Sequence, residues 1–193
     1  DYVDHGNFGW PERDAYVLAY HKVRYVGEAI ATVAAESEEA ARAAIDAIDL
    51  TLTPMPVVDE MTRALDPDAP VIPEHPATLT AGGTASGNLC DRHILRNGDP
   101  DPILAACDLI LDETYTFAPQ EHAYMETEGA LAVPEPDGGV TVYANNQSPF
   151  INRDTLAALL GLAEEVVRVI QPPVGGAFGG KDDVVYETSA QAA

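Results

Sequence analysis

The 193-residue chain is poor in sulfur, in large aromatics and in positive charge. Only Cys90 and Cys107 occur, 17 residues apart, too few to support a disulfide framework or a zinc site. The two thiols read as structural residues in a reducing compartment. Eight Arg and two Lys stand against 32 acidic residues, giving a net charge of −22, and such a surface repels nucleic acid and anionic membrane. We read that acidity as a solubility feature that says little about chemistry. No apolar run approaches the roughly 20 residues that cross a bilayer, and residues 1–20 lack the charged-then-apolar layout of a signal peptide, so a cytoplasmic location is expected.

What is present is a globular composition, 46% apolar, in a chain long enough for one domain or two small ones. "KVRYVGEAIATVAA" at 22–35 is β-branched enough for one or two strands with a turn at Gly27. Ser37 offers an N-cap to a helix whose Ala40, Ala41, Ala43, Ala44, Ile45, Ala47 and Ile48 supply an apolar face, and "DLTLT" at 49–53 reads as a strand. Residues 59–101 lose periodicity and gain Pro, Gly and Asp, which marks a connection. Beyond it, Asp101-Pro102 opens a short helix, and strands are expected at about 109–118, 129–134 and 140–145, the last two joined by "PEPDGG". Ser148-Pro149 starts a helix with Leu156, Leu159 and Leu160 on one face and Gly161 as its stop. "EVVRVIQ" at 165–171 is the next strand, and "DVVYETSAQAA" is helical.

Between them lies "VGGAFGGKDD", 174–183. From Gly175 it nearly spells a phosphate loop, but Asp182 stands where a magnesium-binding hydroxyl belongs and Asp183 adds a second negative charge. G-x-G-x-x-G is absent there, so a dinucleotide site is no better supported. Glycines also let main-chain N–H groups converge on a ligand, with Phe178 either an aromatic face over that ligand or a core anchor. Gln147 follows a strand end, and in "QEHAYMETE", 120–128, an extended chain would put Gln120, His122, Tyr124, Glu126 and Glu128 on one side, as a polar binding face or a solvated edge. His122 and Glu126 alone do not close a metal coordination sphere.

"KVRYVGEAIATVAAES", "QEHAYMETEGALAVPEPDGGVTVYANNQSPF" and "RVIQPPVGGAFGGKDD" occur in that order. With Q-x-H-x-Y-x-E, an NNQSP turn and GGxFGGK so spaced, the chain resembles the large, molybdopterin-binding subunit of the xanthine dehydrogenase and aldehyde oxidase family of molybdenum hydroxylases. The resemblance implies an α+β fold: a partial α/β hammerhead-like unit at 1–58, a connecting segment at 59–85, and at 86–193 the opening part of a mixed α/β molybdopterin-binding domain. It places Gln147 beside an oxo-molybdenum centre and Gly176, Ala177, Phe178 and Gly179 against the cofactor, with Gln147 and the Phe178 N–H in catalytic roles. Metal is then held through pterin sulfurs, with no protein ligand in this chain.

Asp182 falls where purine-oxidising relatives carry a substrate-contacting carboxylate one methylene longer. The implied substrate is a purine or other N-heterocycle, with aldehydes and aromatic thioesters next. The implied cofactor is molybdenum–molybdopterin in its cytosine dinucleotide form, with 2Fe–2S and FAD carried by partner domains or subunits. In the family reaction a metal-bound hydroxide attacks an electron-poor carbon, hydride passes to a sulfido ligand, and a glutamate base assists. That base falls in a part of the family's subunit beyond this sequence. The abrupt beginning and end read as a piece of a longer polypeptide, so this chain is expected to need the remainder of its subunit and to be inactive alone. Two other readings stay open at this point, a non-catalytic acidic binding or assembly module and a nucleotide-binding protein using Lys181.

Overall fold

The computed structural model describes residues 7–8, 15–73, 87–89, 94–182 and 185–193. Most of the expected featureless stretch at 80–88, Cys90, the histidines at 5, 75 and 93, and Asp183 lie outside the described residues. In chain order the elements are β1 (Asn7–Phe8), β2 (Ala15–Tyr16), α1 (Glu38–Asp46), α2 (Asp101–Ala105), β3 (Ala130–Pro134), β4 (Val140–Ala144), α3 (Pro149–Leu160), β5 (Val167–Ile170) and α4 (Val185–Ala192). Short 3₁₀ turns at Arg63–Leu65 and Glu164–Val166 complete the set.

The second half is organised around β4. β3 pairs with it antiparallel, Leu131 opposite Tyr143, and β5 lies parallel on its other side, Tyr143 opposite Ile170. Alternation along β4 turns Val140, Val142 and Ala144 toward Leu156 and Ala157 of α3, and Val167 of β5 closes this core. Val142 and Leu156 have no solvent exposure, and burying such a side chain stabilises the fold by about 2 kcal/mol. Gly161 ends α3 in the left-handed conformation, φ 66°, with its N–H donating to Ala157 C=O. α4 packs across α3 and β3, and buried Asn152 donates from Nδ2 to Ser189 Oγ at 3.0 Å. The architecture is α+β, with helices packed on a small mixed sheet.

The first half departs from expectation. Among the described residues 22–35, 49–53 and 109–118 form no strand; a backbone bond such as Ala19 N–H to Ala29 C=O at 2.6 Å is isolated and does not extend into a ladder. α1 forms where expected, with Ser37 Oγ accepting from Ala40 N–H, but its apolar face stays uncovered, Ile45 and Ile48 both exposed. α2 starts at Asp101 with Pro100 as its N-cap, one residue before the expected cap. Within α3 the buried positions are Asn152, Leu156 and Ala157, while Leu160, expected on the core face, is exposed. Cys107 is an exposed free thiol after α2, not a core residue.

Two local devices order the described part of 15–89. Arg24 pairs with Glu28 across the Gly27 turn at 2.5 Å and lies 4.2 Å over the Tyr16 ring. Asn88 ties the connection together, its Nδ2 donating to Ala64 C=O and Pro70 C=O and its Oδ1 accepting from Ile72 N–H.

Candidate functional site

Parallel pairing of β4 and β5 brings their carboxyl ends to the same edge of the sheet, where open sheets carry ligand groups. Gln147 follows the end of β4, and the 174–182 loop follows β5 by way of Gln171–Pro173. The two meet directly. Gln147 Oε1 accepts from Gly179 N–H at 3.1 Å and Lys181 N–H at 3.3 Å, and Gln147 N–H donates to Lys181 C=O at 3.0 Å. Two N–H donors on one oxygen fix the orientation of the carboxamide, so its Nε2 faces away from these donors and finds no acceptor among the described residues.

The loop turns on Gly176, φ 98°, Phe178, φ 55°, and Gly179, φ 99°. A left-handed conformation costs a residue with a Cβ about 1–2 kcal/mol, so Phe178 is held in place by its surroundings. Phe178 is 78% exposed, which excludes the core-anchor reading. Within the loop Gly175 N–H is taken by Glu126, Gly180 N–H by Ala177 C=O and Asp182 N–H by Gly179 C=O. Among the described residues nothing accepts from the N–H groups of Gly176, Ala177 or Phe178.

The "QEHAYMETE" stretch is the floor under this loop. It forms no strand, yet Tyr124, Glu126 and Glu128 are half-buried while Ala123, Met125 and Thr127 are exposed, so one-sided alternation persists there. A Cβ on Gly180 would lie 2.5 Å from Tyr124 Cε1 and 3.0 Å from His122 Nδ1, and one on Gly175 would lie 2.8 Å from Glu126 Cβ. These glycines therefore allow the backbone to lie against side chains about 50 residues earlier.

Lys181 is fully buried, its Nζ 2.6 Å from Glu126 Oε2 and 4.9 Å from the centre of the Tyr124 ring. The same Glu126 oxygen accepts from Gly175 N–H at 2.8 Å. The Lys181 hydrogen bond, then the Gly175 N–H and Asn145, hold the Glu126 carboxyl down at about 2. Tyr124 donates its hydroxyl to Glu128, and that bond together with desolvation pushes the phenol up to about 12. Turned inward and paired, Lys181 cannot reach a triphosphate, so the nucleotide reading loses its cation. Asp182 is half-buried and accepts from the Ser148 hydroxyl, which explains why Ser148 makes no side-chain cap on α3.

Gln147 thus comes together with Gly179 and Lys181, and Asp182 with Ser148 beside it. Sequence reasoning missed Lys181 and Glu126 as a pair, 55 residues apart, for which the alternation in 124–128 was the only hint. Among the described residues no three His, Cys, Asp or Glu side chains gather as metal ligands. A cavity of about 530 Å³ is lined by residues between Ala15 and Leu89, Tyr16, Arg24 and Asn88 among them, and not by the loop.

Comparison with known proteins gives this geometry a family. The chain is 42% identical over 177 residues to a probable xanthine dehydrogenase component of Bacillus subtilis (strain 168), covering 92% of this chain and 22% of that protein. It is 33% identical over 177 residues to the nicotinate dehydrogenase large molybdopterin subunit of Eubacterium barkeri, covering 92% of this chain and 39% of that one. The solved aldehyde oxidoreductase of Desulfovibrio gigas superposes with a TM-score of 0.77 at 26% identity, over 97% of this chain and 20% of its own. The chain therefore spans well under half the length of these relatives. Residues 84–193 match the molybdopterin cofactor-binding domain and residues 1–56 the a/b hammerhead domain of aldehyde oxidase and xanthine dehydrogenase, and the chain belongs to that family.

Proposed function

We propose that this chain forms part of the molybdenum-cofactor-binding subunit of a molybdenum hydroxylase, and that Gln147 with the Gly176–Gly179 arch is where it touches the cofactor. One observation carries the reading. Three successive N–H groups, of Gly176, Ala177 and Phe178, are left without an acceptor among the described residues, beside a Gln147 amide whose oxygen is already committed to the loop. That is a set of uncharged donors at the carboxyl edge of parallel strands, which would suit an anionic cofactor. When bound, the molybdopterin group supplies the oxygen transfer and the two-electron acceptance. The protein's share is to orient it: the Gln147 Nε2 amide and the Phe178 N–H donate, and the exposed Phe178 ring covers the approach. Asp182, one oxygen fixed by Ser148, presents its other oxygen to substrate.

The finer parts of the reading extend the family resemblance. The substrate is a purine, another N-heterocycle or an aldehyde, and the cofactor is the cytosine dinucleotide form. Electrons leave to 2Fe–2S and FAD on partner domains or subunits. We divide the chain as 1–58, 59–85 and 86–193, place the protein in the cytoplasm, and infer that these 193 residues do not turn over alone. The uncovered apolar residues at Leu109, Leu111, Phe117 and Leu131 are surfaces for the remainder of the subunit. An assembly module without cofactor has no need for Gln147 and the loop to meet at one edge, as they do.

The test is a Gln147→Ala variant of the protein purified from its native host. Losing one donor to a charge-bearing ligand lowers kcat by about 10²-fold or more with the fold intact. Unchanged kcat at full cofactor occupancy contradicts the assignment.

A further inference from the structure

We propose that Glu126 and Lys181 are positioning residues that set the shape of the 176–178 arch, a role that rests on the function above only for its consequence on the cofactor. A buried ammonium is unfavourable unless paired and hydrogen-bonded, so a loop needing nothing but shape would carry an apolar side chain at this place. The chain has two lysines and buries one of them completely at the end of its glycine loop. Glu126 Oε2 receives Gly175 N–H and Lys181 Nζ together, so one carboxylate oxygen ties both ends of the loop to a single point. Gln147 Oε1 ties Gly179 and Lys181 to a second. Between these two points the N–H groups of Gly176, Ala177 and Phe178 have no acceptor among the described residues, and they are the ones free to meet a ligand.

The carboxylate charge matters as well as its shape. A neutral amide at 126 could accept from Gly175 N–H or from Lys181 but would leave the buried ammonium without a counter-charge. Tyr124, whose ring lies under both Gly180 and the Lys181 ammonium, fills the rest of the space around it. Neither Glu126 nor Lys181 is within the set that donates to the ligand, so they act through the loop backbone.

Amide hydrogen exchange on the protein purified from its native host tests this without reference to turnover. Glu126→Gln and Lys181→Met should each speed exchange of the hydrogen-bonded loop amides of Gly175, Gly179, Gly180 and Lys181 about tenfold, the effect of losing one charge-assisted hydrogen bond, while β4 and α3 stay as protected as in the wild type. Loop exchange equal to wild type in a variant with intact sheet protection overturns the proposal. If Glu126→Gln fails to fold, as fast exchange in β4 would show, Lys181→Met decides alone, since it keeps an apolar stem in the buried place. A second readout separates positioning from bulk stability. Turnover per bound molybdenum should fall with KM nearly unchanged, whereas a merely structural pair would lower the yield of folded protein and leave kcat per molybdenum alone. Absence of molybdenum from the wild type would defeat the functional reading and leave the exchange result standing.

Discussion

At the scale of single residues, the glycine loop is explained by what lies beneath it. Gly180→Ala puts a methyl 2.5 Å from the Tyr124 ring, and the backbone must lift away. Gly129, whose Cβ would meet nothing within 4 Å, is the matched control. We expect Gly180→Ala to release the loop amides in hydrogen exchange and Gly129→Ala to leave them as they are. The run "GGAFGGK" is readable in the sequence as a motif, but its reason, contact with Tyr124, His122 and Glu126 about 50 positions earlier, is long-range and leaves no local signal. Glu126 also gives a pH test. Its folded-state pKa is depressed to about 2, so its contribution to stability is complete above the ordinary carboxylate range near about 4.3 and is lost as pH falls through about 2. The stability gap between wild type and Glu126→Gln in denaturant titrations should therefore be constant above about pH 5 and close toward pH 2. A gap that persists undiminished at pH 2 contradicts the pairing.

At the scale of elements, β3, β4, α3, β5 and α4 appear where their patterns predict because each finds its partner within the described second half. β4 alternates onto α3, and α3 begins and ends on local cues, Pro149 and Gly161. The segments 22–35, 49–53 and 109–118 carry strand-like composition but join no ladder among the described residues, and composition cannot report whether a ladder partner exists. α4 carries a cost of its own. Glu187 is pushed up by desolvation and then by the charges of Glu28 and Glu128. A carboxyl raised on folding disfavours the fold once ionised, so this penalty is present at neutral pH and absent below the unfolded value near about 4.3. Glu187→Gln should accordingly raise the thermal midpoint at pH 7 and have little effect below pH 4. Destabilisation at pH 7 would mean that the Glu187 charge is serving a favourable contact.

At the scale of the molecule, the main buried cluster among the described residues is small and built from β4, α3 and β5, while many large apolar side chains described between Leu50 and Phe117 face outward. Isolated exposed apolar residues are ordinary, but an array of this extent is what a surface meant for contact with further polypeptide would show. That fits relatives of which this chain matches 22% to 39% of the length. It also fits a candidate site built along one sheet edge, where Gln147 meets the glycine loop and, among the described residues, the Gly176, Ala177 and Phe178 N–H groups have no acceptor. Whether the edge holds that cofactor is the central question. Metal and pterin analysis of the protein purified from its native host answers it most directly. Molybdenum together with a pterin dinucleotide is the expected result, and active protein free of both would contradict the cofactor assignment.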